Sequence, residues 1–124
     1  MKDNIFGIVT FDDGWNKEES ISLWGNDFEI LVTAVAYYEN EPITAEQQAS
    51  YSDFLDEKQV LLQTIEALLL DYISEAEKRL CPQYLVFEKD GKYALLFDDS
   101  ADPDDGVAVQ LSPTRKVMSQ DAYL

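Results

Sequence analysis

Between Thr44 and Leu80 the apolar side chains recur at every third and fourth position, whereas on both sides of that block they recur at every second. A period of about 3.6 residues belongs to a helix and a period of two to a strand. The chain therefore switches twice, from strands to helices and back. Strands grouped around a helical block and joined by hairpin signals imply an α+β fold. The expected architecture is a mostly antiparallel sheet from the N- and C-terminal strands, with two central helices packed on one face.

The local signals fill in that outline. Ile5 to Phe11 reads as a first strand, closed by Asp12-Asp13-Gly14. Glu19 to Trp24 alternates, with Ile21 and Leu23 opposite Ser20 and Ser22, and Gly25-Asn26 supplies a tight turn. Phe28 to Tyr37 follows. It sets Phe28, Ile30, Val32, Ala34 and Ala36 on one side and Leu31, Val35 and Tyr37 on the other, as expected of a central strand covered on both faces. Pro42 ends this section.

Thr44 with Gln47 forms a capping box, opening a helix to about Leu55 with Tyr51, Phe54 and Leu55 facing inward. Asp56 with Gln59 repeats the start signal. The second helix carries Leu61, Ile65, Leu68, Leu69, Tyr72, Ile73 and Ala76, has Lys78 and Arg79 in its last turn, and is expected to stop at Pro82. Tyr84 to Glu88 and Tyr93 to Phe97 flank Asp90-Gly91, a strong hairpin signal. Val107, Val109 and Leu111 alternate in another strand, and Val117 to Leu124 is read as a short edge strand.

With 124 residues, 46% of them hydrophobic, residues 1–124 are read as one domain able to bury its own core. A single cysteine, Cys81, excludes an internal disulfide. The N-terminal apolar run is short and flanked by aspartates, unlike a signal peptide, and the Val60–Leu80 stretch is amphipathic rather than membrane-spanning. These features give a cytoplasmic expectation. The formal charge of −16, from 25 acidic and 9 basic residues, repels nucleic acid and anionic lipid. A basic protein would be attracted instead.

Catalytic groups are scarce. The chain has no histidine, and with one cysteine it has neither the usual general base nor a Cys-rich metal site. No phosphate-binding glycine motif is present. The expectation is a non-catalytic binding domain without a cofactor. The candidate contact residues are the aspartates of the run from 98 to 105 (Asp98, Asp99, Asp102, Asp104 and Asp105), together with Asp12, Asp13 and Trp15 at the first turn. Two alternatives stay open. The aspartate run could hold Ca²⁺ or Mg²⁺ or serve a hydrolytic reaction, although its spacing is not that of an EF-hand. A sheet edge could instead pair with a second copy as a structural module. Trp24 is read as core and Cys81 as a small apolar filler.

Several segments taken in order resemble a family of small bacterial domains of unknown function. They are Ile43-Thr44-Ala45-Glu46-Gln47, Tyr51 with Phe54, Asp71-Tyr72, Ala94-Leu95-Leu96-Phe97-Asp98, Gly106-Val107-Ala108-Val109 and Gln120-Asp121-Ala122-Tyr123-Leu124. The resemblance runs from about Phe28 to Leu124. It implies an α+β domain and, for some members, a place among the immunity proteins of polymorphic toxin systems, whose partner would be a basic toxin domain. Where that family often has an acid-His pair before its glycine, this chain has Asp104-Asp105-Gly106. No catalytic residue is carried over.

Overall fold

The structure is a computed structural model that describes residues 1–124. Its strands are β1 (Lys2–Asp3), β2 (Gly7–Ile8), β3 (Thr10–Phe11), β4 (Trp15–Leu23), β5 (Asn26–Ala34), β6 (Leu80–Phe87), β7 (Tyr93–Asp99), β8 (Val107–Ser112) and β9 (Lys116–Ser119). The helices are α1 (Ala45–Asp56), α2 (Lys58–Tyr72), α3 (Ala76–Arg79) and α4 (Gln120–Tyr123). Strands β3 to β9 form one seven-stranded sheet in sequence order, and β1 pairs with β2 alone. Every neighbouring pair in the large sheet is antiparallel except β5 with β6. A parallel pair needs a long crossover, and the helical block between Ala34 and Leu80 is that crossover. The α+β expectation holds.

Helix α1 starts where the capping box places it. Thr44 Oγ1 accepts from Gln47 N at 3.1 Å, and Thr44 N donates to Gln47 Oε1 at 2.9 Å. Gln47 is itself fully buried, and its Nε2 donates to Val35 O at 3.0 Å and Phe87 O at 2.9 Å. One side chain therefore caps the helix and ties it to the ends of β5 and β6. Beneath it the rings of Phe6 and Tyr51 stack at 4.4 Å and those of Phe87 and Tyr93 at 4.7 Å. The main core lies between this layer, α2 and the inner faces of β4 to β8.

Several local expectations change. Asp3 Oδ2 accepts from the amides of Ile5 and Phe6, so the chain turns where one strand was expected and drives Phe6 into the core. The tight turn between β4 and β5 is Trp24-Gly25 rather than Gly25-Asn26, with φ of 52° and 76°, because strand pairing continues from Leu23 directly across to Asn26. Pro82 does not end a helix. It lies within β6 at a register shift before Tyr84, one of the few strand positions that tolerate proline. The helix has already stopped at Tyr72, and Lys78 and Arg79 belong to the separate α3.

Leu55 and Tyr72 face solvent, because only one side of each helix meets the sheet. Val117–Leu124 divides into β9 and α4. Nor is β5 covered equally on both sides: Ile30, Val32 and Ala34 are buried, Leu31 and Val35 are half-buried, and Tyr37 is exposed. On that outer face α4 covers only part of the sheet, with Tyr123 over Ala94, Leu96 and Ala108.

Candidate functional site: an acidic end of the sheet

The aspartate run leaves β7 at Asp99 and returns to β8 at Val107. At its root Arg79 Nη2 donates to Asp99 Oδ2 at 2.7 Å, and Arg79 Nε donates to Asp99 Oδ1 at 3.2 Å. Asp99 is buried, so this bidentate pair is partly shielded from water. Arg79 holds the Asp99 carboxyl below the usual carboxylate range, and Asp99 raises Arg79 in return. Asp99 was expected to be a contact residue. It is an anchor instead, because its side chain points inward to the guanidinium.

From this anchor the loop is tied along its length. Ser100 N donates to Arg79 O at 2.9 Å, Ala101 N to Asp99 Oδ1 at 3.0 Å and Asp102 N to Asp99 O at 3.1 Å. At the far end Gln120 N donates to Gly106 O at 3.0 Å, and Gln120 Nε2 reaches Phe97 O at 2.7 Å. Asp121 N donates to Asp105 Oδ1 at 3.2 Å. Gly106 is required here on grounds of space: a Cβ would stand 2.2 Å from Phe97 O.

These ties leave Asp98, Asp102, Asp104 and Asp121 exposed and Asp105 half-buried around shallow hollows. None of the five makes an ion pair with a cation of the chain. Asp121 was missed in the sequence because β9 and α4 bring it back beside Asp105 across the strand pairing. No group of three or more carboxylates converges as a metal site would require. Asp99 and Glu41 are both held in the ionised direction, opposite to the raised pKa that a general acid needs. Cys81 is exposed rather than a core filler. It lies opposite Asp98 in the strand register and lines the same hollow.

The other expected contacts lie elsewhere. Asp12 and Asp13 are exposed in the β3–β4 turn, which meets the Ala34 and Phe87 end of the sheet. The loop after Asp99 is at the Leu80 end. The length of β6 separates the two, about 20 Å at strand rise. Trp15 is buried, packs edge-on to Phe11 at 5.1 Å, and donates from Nε1 to Glu41 O at 2.8 Å. It is a core residue, and its position in sequence beside a turn conceals that. Glu41 also accepts from the amides of Tyr37 and Tyr38 and pairs with Lys89. Lys89, which lies 4.3 Å from the Tyr37 ring centroid, lowers the Glu41 carboxyl.

An α+β domain built on one large, mostly antiparallel sheet and presenting a tethered carboxylate surface is the class these features define. The chain belongs to the family described as Domain of unknown function (DUF6985), whose model matches residues 5–119. The match starts after β1, takes in β2 to β9 and stops short of α4. No curated protein and no solved structure matches the chain.

Proposed function

We propose that this is a non-catalytic protein-binding domain whose acidic end holds a basic partner, in the manner of an immunity-type inhibitor holding a basic toxin domain. The observation that carries the reading is that three carboxylates without ion-pair partners, Asp102, Asp104 and Asp105, lie on a loop whose backbone is fastened at both ends, with Asp98 of β7 and Asp121 of α4 unpaired beside it. A preformed contact surface loses less entropy on binding than a mobile one. The net charge of −16 raises the encounter rate with a cationic surface and disfavours nucleic acid and anionic membranes.

The test is affinity capture from a lysate of the native host, at low and at high salt, with the intact domain and with an Asp102→Asn, Asp104→Asn, Asp105→Asn variant. A basic protein held by the intact domain, released by salt and lost in the variant is the expected result. Equal capture by both forms would overturn the role given to this loop.

A further inference from the structure

We propose that the outer face of the sheet, the side away from α1 and α2, is a second part of the contact surface and takes the apolar side chains of the same basic partner. The proposal rests on the reading of the acidic end and extends it. Strand register sets Glu18, Leu31, Tyr84, Leu96, Ala108 and Met118 in one row across that face. Tyr123 of α4 covers the row over Leu96 and Ala108 and leaves Leu31 and Tyr84 open. Tyr84 is 46% exposed in a strand with neighbours on both sides, a position that a covered sheet would bury.

The open part continues into a groove of about 510 Å³ where Ile8, 77% exposed, and Leu31 line the walls with Asp12, Asn16 and Glu18. Lys17 also lines this groove, but its ammonium lies 5.5 Å from the ring centroid of Tyr51 in the main core. The apolar centre is bordered by Asp12, Glu18, Glu29 and Asp98, none in an ion pair, against two cations at its margins: Lys2, opposite Ile8 in the β1–β2 register, and Lys92, whose ammonium lies 4.4 Å from the Tyr123 ring centroid.

Charge selects the occupant. A second copy of this chain would bring its own excess of carboxylates against that border, and an anionic lipid surface would be repelled for the same reason. An aromatic and aliphatic centre with more carboxylates than cations at its border matches a cationic protein surface carrying apolar anchors. Asp98, on the outer face at the Leu80 end, joins this area to the acidic loop.

Amide chemical-shift mapping with two probe peptides tests the proposal: octalysine, and a nonapeptide of lysines with phenylalanine at every third position. Both peptides are expected to shift the amides of residues 98–106 and Asp121, and only the phenylalanine peptide those of Leu31, Tyr84 and Val86. Tyr84→Ala should weaken the phenylalanine peptide by about tenfold and leave octalysine unchanged. Tyr84→Gln repeats the comparison with a polar side chain of similar reach. Identical shifts from the two peptides, or undiminished phenylalanine-peptide binding to both variants, would overturn the outer-face proposal. So would peptide-free shifts of Leu31 and Tyr84 that grow with protein concentration, because a second copy would then be the occupant. Shifts at the outer face without any at residues 98–106 would instead sink the acidic-end reading and leave this one standing.

Discussion

Arg79 and Asp99, twenty residues apart, close a two-pronged ion pair across the start of β6 and the end of β7, with the shorter prong at 2.7 Å. This pair sets the base of the acidic loop, so its loss should loosen the loop before it affects the sheet. Asp99→Asn keeps the shape and removes the charge. Amides of residues 100–105 are expected to exchange about tenfold faster, with little change at Leu95 or Val109, in a hydrogen-exchange measurement.

The same pair fixes a pH dependence. Because Arg79 depresses the folded-state pKa of Asp99, the stability it supplies is present above the unfolded aspartate value, about 3.9, and is lost as pH falls through the lower folded value. The difference in melting temperature between the intact domain and Asp99→Asn should be constant from about pH 7 to about pH 5 and should shrink below about pH 4.

Gln47 connects the capping box to the sheet. Gln47→Ala would take the side-chain donor from Val35 O, leave Phe87 O with the Val35 amide alone, and remove half of the cap. Urea unfolding should report a loss of about 2–4 kcal/mol. Thr44→Ala, which removes only the other half of the box and a bond to Lys89 O, should cost about 1–2 kcal/mol.

Two glycines separate steric from conformational cost. At Gly25 φ is +76° and nothing lies within 4 Å of an added Cβ, so Gly25→Ala should cost about 1–2 kcal/mol through backbone strain alone. At Gly106 the same methyl would meet Phe97 O at 2.2 Å and the Gln120 amide at 2.3 Å. Gly106→Ala should therefore release α4 and the loop together, seen as faster exchange at Ser119–Tyr123 as well as at 100–105, with a cost of about 2–3 kcal/mol.

Burial pushes the Tyr93 hydroxyl up to about 12 and raises Tyr51 and Tyr123 as well. A raised folded-state pKa supplies stability that is complete below the unfolded value of about 10 and is lost as pH climbs through the folded one. Far-ultraviolet circular dichroism should stay native to about pH 10 and collapse near about pH 12. Tyr93→Phe should move that collapse upward.

The sequence was most legible where structure is set by neighbours. The capping box at Thr44 and Gln47, the Asp90-Gly91 hairpin and the Val107–Leu111 alternation all read correctly, because each depends on residues a few positions apart. It was least legible where a distant partner decides the outcome. Trp15 is buried by a hydrogen bond to Glu41, and Asp99 is turned inward by Arg79. Pro82 fits a strand because β5 pairs with β6 only from Tyr84 onward. The acidic end was half visible: its loop was clear as an aspartate run, while Asp121 joined it through strand pairing and Asp12 and Asp13 proved to be at the opposite end.

Moving the lost charge is the most direct test of the account. Octalysine binding by calorimetry at low ionic strength would be compared for the intact domain, for Asp102→Asn, Asp104→Asn, Asp105→Asn, and for Asp53→Asn, Asp56→Asn, Glu57→Gln on the helical side. The two variants have the same net charge. An acidic end built for contact predicts a loss of about tenfold in the loop variant and little change in the helical one. Equal weakening in both would show that affinity follows total charge, and would contradict a dedicated surface at the loop.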